Sequence, residues 1–303
     1  MPLILDEPVT AGDLLSLDEL RHFRQTSAAR SILLVAHAWV VIATAVGLYV
    51  WRPTPATFIV AVVVIGARQL GLMVLMHEAA HWLLFATSRG NTWVGTWFCA
   101  APVAADLKAY RRSHHLHHRH TQQHDDPDVE RAMPLPVTRG RLALAMAADL
   151  CGWTAARRVI AWRPRSDGIA QGVRRMRAPL IANAVLFGIL TAVGGPTLYL
   201  FMWVVPWATW FQLATRVRGL AEHGRLPGSD DPLRSTRTIG AGALARATIA
   251  PYSVNYHLEH HLAVFVPCWK LRELHALLME RLAGARIAQA ASYWDVIALA
   301  TSA

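Results

Sequence analysis

The residues in this chain best placed to do chemistry are its histidines, and their spacing sorts them into groups. His77 and His81 stand four apart, His114, His117 and His118 form HxxHH, His257, His260 and His261 form it again, and His223 stands alone. Residues three and four apart share one helical face, with ~5–6 Å between their Cβ atoms. Each group therefore presents two or three imidazoles to one side. Neutral imidazole is the commonest protein ligand for transition metals. Eight grouped histidines exceed what one tetrahedral ion uses, so the economical arrangement is a dinuclear site with His223 as a ninth ligand. Imidazole without thiolate admits iron, zinc or copper.

The densest stretch holds six histidines between His114 and His124. Read alone it is equally a histidine-rich surface tract. Spacing divides it into three candidate ligands, His114, His117 and His118, and three bystanders, His115, His120 and His124, which face water or bond nearby acids. Glu78, Glu222 and Glu259 each neighbour a candidate ligand, Asp125, Asp126 and Asp128 follow the dense stretch, and Asn255 precedes the last group. A metal-bound histidine usually gives its second N–H to a carboxylate or carbonyl, which fixes its tautomer and orientation. That role is expected of Glu78, Asp126, Asp128, Glu222, Glu259 and Asn255, against the ordinary alternative of solvated charge.

Ligands so far apart in sequence need a rigid frame. The chain of 303 residues is 54% hydrophobic with twelve Trp, which points to an integral membrane protein. Its ten excess positive charges then report loops retained by the positive-inside rule rather than nucleic-acid binding. Cys99, Cys151 and Cys268 are too scattered for a thiolate site and fit a reducing compartment. The acidic first thirty residues show no cleavable signal peptide. Apolar runs at residues 31–51, 57–76, 178–193 and 196–213 are expected as four transmembrane helices, the last two a tight hairpin around Gly194 and Gly195. Residues 91–105 are too short to cross and are expected to be re-entrant or interfacial. His37 reads as a structural histidine, and Arg68, inside the second run, must pair or line a cavity. With the N-terminus inside, every Lys and Arg except Arg52 and Arg68 falls on the cytoplasmic side, and so does every histidine group. The expectation is an all-α, multi-pass membrane protein: one domain over 1–303, a helical cap from 82–177 and 214–303, both termini cytoplasmic, and an amphipathic helix from Trp269 onward.

The HxxxH of His77 to His81, the HxxHH of His114 to His118, and the HxxHH within NYHLEHHL at Asn255 to Leu262 resemble the three histidine boxes of the membrane fatty acid desaturase superfamily. Their order, their common side, the intervening hairpin, Arg112, Thr121, Glu222-His223 and Val266-Pro267 fit as well, and the resemblance spans roughly residues 31–278. It implies a non-haem di-iron enzyme: nine histidine ligands to two iron ions, O2 as co-substrate, and an acyl lipid as substrate. Electrons come from a separate ferredoxin or small b-type cytochrome with its reductase, because no cytochrome-like domain is fused and His257 stands where front-end desaturases carry Gln. Gly219 occupies a position where relatives often have Asn, which alters the contacts expected near His223. Hydroxylases and ketolases share the boxes. In a different class, His77-Glu78-Ala79-Ala80-His81 also reads as the HExxH of a zinc protease, a reading that leaves seven of the nine histidines idle, and a metal carrier would suit ligands that release more readily.

Overall fold

A computed structural model describes residues 9–129, 133, 135–161, 169–229, 231–282 and 287–302; the first eight residues of the expected N-terminal segment and the final residue lie outside them. The chain is helical. Helix α1 (Leu17–Arg24) opens with a reciprocal cap between Ser16 and Glu19. It is followed by α2 (Ala28–Trp51) and α3 (Pro55–Ala80). After a turn come α4 (Ser88–Val94), a π-helical turn at Gly95–Ala100 and a 3-10 turn at Ala101–Val103. Then follow α5 (Leu107–Arg119), α6 (Arg139–Leu150), α7 (Trp153–Ile160) and α8 (Ile169–Gly194). The polar half is completed by α9 (Trp210–His223), α10 (His257–Leu262), α11 (Leu271–Arg281) and α12 (Tyr293–Thr301). The β structure among the described residues is a parallel pair of two-residue strands, β1 (Thr238–Ile239) and β2 (Gln289–Ala290), and an isolated antiparallel bridge from Thr238 to Tyr256.

Among the described residues, three helices are long and apolar enough to cross a membrane: α2, α3 and residues 172–194 of α8. Only 11% of the last span's apolar window is buried within the protein, so Leu180, Ile181, Val185, Ile189 and Val193 present an exposed apolar face that hydrocarbon would cover. The expected fourth span is not one continuous helix. Residues 196–213 run as a short α-turn, a π-helical turn at Leu200–Val204 and a second short α-turn, and the backbone breaks at Thr209 before α9. Pro206 explains the interruption, because proline has no N–H to give the preceding turn and its ring crowds the carbonyl four residues back.

Helix α3 is the axis of the molecule. Every residue from Gly66 to Leu72 and from Val74 to Ala80 is buried, which is the signature of a helix surrounded on all sides. Two glycine contacts set how closely its neighbours approach. A Cβ on Gly66 would lie 2.8 Å from Trp210 Cβ at the break before α9, and one on Gly95 would lie 2.4 Å from Ala79 Cβ. Residues 91–105 therefore pack as an interrupted helix against the end of α3, with Cys99, Ala100 and Ala101 fully buried. Arg68 bonds the Ala247 carbonyl at 2.8 Å and lies over the Tyr252 ring, satisfying the need for a partner. His37 bonds the Tyr252 hydroxyl at 3.1 Å, a structural contact between helices. The amphipathic C-terminal helix α11 buries Leu271, Leu274 and Leu278 against Leu258 and Leu262 of α10 and against Leu15 and Phe23 of the N-terminal segment.

A candidate dimetal centre

Three elements and one helix end bring the histidines together. Helix α3 delivers His77, and His81 caps its C-terminus. Asp106 caps α5 by accepting the Ala109 N–H at 2.9 Å. The α5 register then buries His114 and His117 and brings His118 beside them, while His115 is exposed. Helix α10 follows a bend in which Tyr252 and Ser253 both have positive φ, 55° and 60°, a strained region for residues with side chains. All six of its residues are buried. Asn255 pins the approach to α10 by donating to the Ile239 carbonyl at 2.9 Å, while its own carbonyl accepts the Ile239 N–H at 3.0 Å. His223 is the last residue of α9. That helix is tethered to α6 and α7 by Arg216 on the fully buried Asp149 and by Arg158 on Gln212 at 2.6 Å.

The nine candidate ligands fall into two sets. His77, His81, His114, His118 and His260 each offer a ring nitrogen within 4.8 Å of the others, and His117, His223, His257 and His261 do the same. The sets abut, with the His118 and His261 ring centroids 4.1 Å apart. Nε2 atoms converge within each: His118 to His114 at 3.0 Å, His260 to His118 at 3.1 Å, and His257 to His223 at 2.8 Å.

The donors of this arrangement suit a cation. Both ring nitrogens of His77, Nε2 of His81, Nδ1 of His260 and Nε2 of His261 are buried without a hydrogen-bond partner. An orphaned buried polar atom costs ~1–3 kcal/mol. Protonation does not resolve the crowding. Burial, reinforced by neighbouring histidines, holds His114, His118, His257, His260 and His261 well below the usual imidazole range and pulls His81 and His223 down to about 3. Neutral imidazoles with inward lone pairs are the form that ligates metal, so the donors fit one ion in each set.

The outer nitrogens are served unevenly. His117 Nδ1 meets both oxygens of buried Asp126 at 2.9 and 3.0 Å, and that carboxylate also accepts the N–H groups of Gln122 and Asp128 at 2.8 and 2.9 Å. Burial alone would raise the Asp126 pKa, but these bonds, chiefly the one from His117, leave it lowered. Asp128 lies farther out, 3.8 Å from His117 Nδ1. His223 Nδ1 donates to the Ser235 carbonyl at 3.1 Å. Glu222 lies 3.8 Å from His257 Nδ1 and is paired with the partly buried Arg218. Burial raises the Glu222 pKa against the opposing pull of Arg218.

Three expected partners are turned elsewhere. Glu78 Oε2 accepts the Cys268 N–H at 2.8 Å, and its other oxygen stands 3.5 Å from His77 Nδ1 without bonding it. Glu259 binds His275 at 2.6 Å and Thr238. Asn255 serves β1. Among the bystanders, His124 is fully exposed and pairs with Asp125 at 3.2 Å, while the His115 ring lies 5.6 Å from that of His81 on the outer side. Sequence reasoning did not single out Arg218, Ser235 or Cys268. Only the i, i+4 spacing of Arg218 and Glu222 offered a signal.

Comparison with known proteins places this helical, histidine-rich chain. The chain belongs to the fatty acid desaturase family, whose profile matches residues 53–293. It is similar to the dihydrorhizobitoxine desaturase of Bradyrhizobium elkanii, with 30% identity over 245 residues covering 75% of this chain and 69% of that protein.

Proposed function

We propose that this protein is an O2-dependent di-iron desaturase of an acyl lipid, with five histidines serving one iron and four the other. The observation carrying this reading is the partition of nine widely separated histidines into two largely buried sets of five and four. Bound iron supplies the O2-derived oxidant that an unactivated C–H bond requires, chemistry that no side-chain acid or base provides. The polypeptide does the rest. Asp126 fixes the His117 tautomer by accepting its Nδ1–H, and the Ser235 carbonyl does so for His223. The Arg218–Glu222 pair places a carboxylate beside His257. Glu78, Glu259 and Asn255 act one step farther out by holding the backbone of α10 and of the segment after it.

Electrons balance when the two taken from the lipid and two from an external donor reduce O2 to two waters. A ferredoxin or small b-type cytochrome with its reductase suits the basic polar face. The broken segment from Pro196 to α9 serves as the fourth crossing, with cap and termini cytoplasmic; the near-total confinement of Lys and Arg to that side supports this. Desaturation is favoured over hydroxylation or ketolation on the same site because the relative is a desaturase by name. Zinc proteolysis is disfavoured because Glu78, its required base, is engaged by the Cys268 N–H. The test is turnover by the purified protein in lipid nanodiscs with ferredoxin and its reductase. A product lighter by two hydrogens is expected; an oxygenated product would make it a hydroxylase, and peptide cleavage would overturn the reading.

A further inference from the structure

Outside the histidine centre, a cavity of about 770 Å³ opens between the end of α3, the α4–π segment and the start of α5. Its lining is of two kinds. Arg89, Lys108, Arg111 and Arg112 supply positive charge, Trp82, Trp93 and Trp97 supply aromatic walls, and no acid lines it. Among the described residues, Arg89, Lys108 and Arg112 form no ion pair. Arg111 is occupied differently: it stacks on Trp82, 3.5 Å from the ring centroid, and donates to the Ala79 and Ala80 carbonyls at 2.8 and 3.1 Å. It closes the inner wall, and the other three cations are left facing the opening.

The cavity is joined to the metal ligands through the chain itself. Trp82 follows His81 directly, with a positive φ of 64° that turns the chain out of α3. Arg111 lies one helical turn before His114 on α5. A ligand held here by a charged head thus has its remainder beside the end of α3, where His81 is, with His118, one of the two partly exposed members of the five-histidine set.

We infer that this cavity binds the anionic head group, carboxylate or phosphate, of an amphiphilic substrate, through Arg89, Lys108 and Arg112, with the tryptophans lining the start of its apolar tail. Guanidinium and ammonium groups recognise both anions through charge-assisted bonds, and indole walls suit a molecule apolar at one end and wet at the other. The inference rests on the desaturase reading for its substrate, but its test does not need turnover.

The full-length protein in phosphatidylcholine nanodiscs is titrated with palmitate, with lysophosphatidic acid and with uncharged methyl palmitate, and tryptophan fluorescence is followed. Palmitate or lysophosphatidic acid should quench, and methyl palmitate should bind more weakly. The Arg89→Gln/Lys108→Gln/Arg112→Gln variant should lose about tenfold in affinity for the anionic probe, and added salt should mimic the change in the parent. A His117→Ala protein should bind as the parent does, so failure of the iron reading leaves the head-group result standing. Equal binding of the ester, or unchanged affinity in the triple variant, would overturn the proposal. So would a triple variant whose only defect is weaker association with phosphatidylglycerol bilayers, which would make the cavity a general bilayer contact.

Discussion

The two histidine sets each bring ring nitrogens to one point, but they are held in place by different means. In the set of four, His117 rests on Asp126 and His223 on the Ser235 carbonyl, with Glu222 near His257 and Thr121 3.4 Å from His261 Nδ1. In the set of five, four buried nitrogens of His77, His81 and His260 have no partner, against the single Nε2 of His261 in the set of four, and the placement of the five comes from the packing of α3 against its neighbours. One half of the centre is oriented by hydrogen bonds and the other by close-packed backbone. Damage to each should therefore have a different cause and a different signature.

The largest effects come from removing a ligand. His117→Ala or His260→Ala should abolish turnover and lose metal while far-UV circular dichroism stays unchanged; retained turnover would take the residue out of the site. Next, Asp126→Asn should weaken metal binding by about 10–100-fold, measured by chelator competition, with the loss confined to one of the two ions. Its counterpart for the packed half is Gly95→Val, which drives a side chain into Ala79. Overpacking of this kind costs about 1–3 kcal/mol, read as a lower thermal midpoint together with loss of metal from the five-histidine set. If Gly95→Val instead behaved like Asp126→Asn, the contrast between the halves would fail.

A smaller effect is expected with pH. His81 and His223 titrate near 3 in the folded protein because burial disfavours the charged ring, whereas unfolded histidine titrates near ~6.5. The unfolded chain then binds more protons below about 6.5, so the metal-free protein should lose stability steadily as pH falls from there toward 3. Thermal melts across that range check it, and a flat profile would contradict the burial of these rings. The smallest effect is that of His124→Ala, which should change neither metal content nor melting.

Much of this was legible in the sequence because helical spacing is local. The i, i+3 and i, i+4 patterns pick out eight histidines that the fold then gathers with the isolated His223, and hydropathy locates three long helices. Long-range pairing was not legible. Glu78 and Glu259 adjoin ligands in sequence yet spend their oxygens on Cys268, His275 and Thr238, since adjacency along a helix points neighbouring side chains about 100° apart. The pairing of Arg218 with Glu222 was not legible either, because nothing local says that α9 is packed in at that turn. The run at 196–213 reads as continuous because it carries no charge, whereas the π-turn before Pro206 and the break at Thr209 are set by backbone geometry that composition does not reveal.

The central claim is that there are two metal positions of unequal construction, and counting metal tests it most directly. Plasma mass spectrometry of the purified protein, referenced to amino-acid analysis, should give two irons per chain, with Asp126→Asn approaching one after mild chelation. A single zinc per chain, unaffected by that substitution, would contradict it.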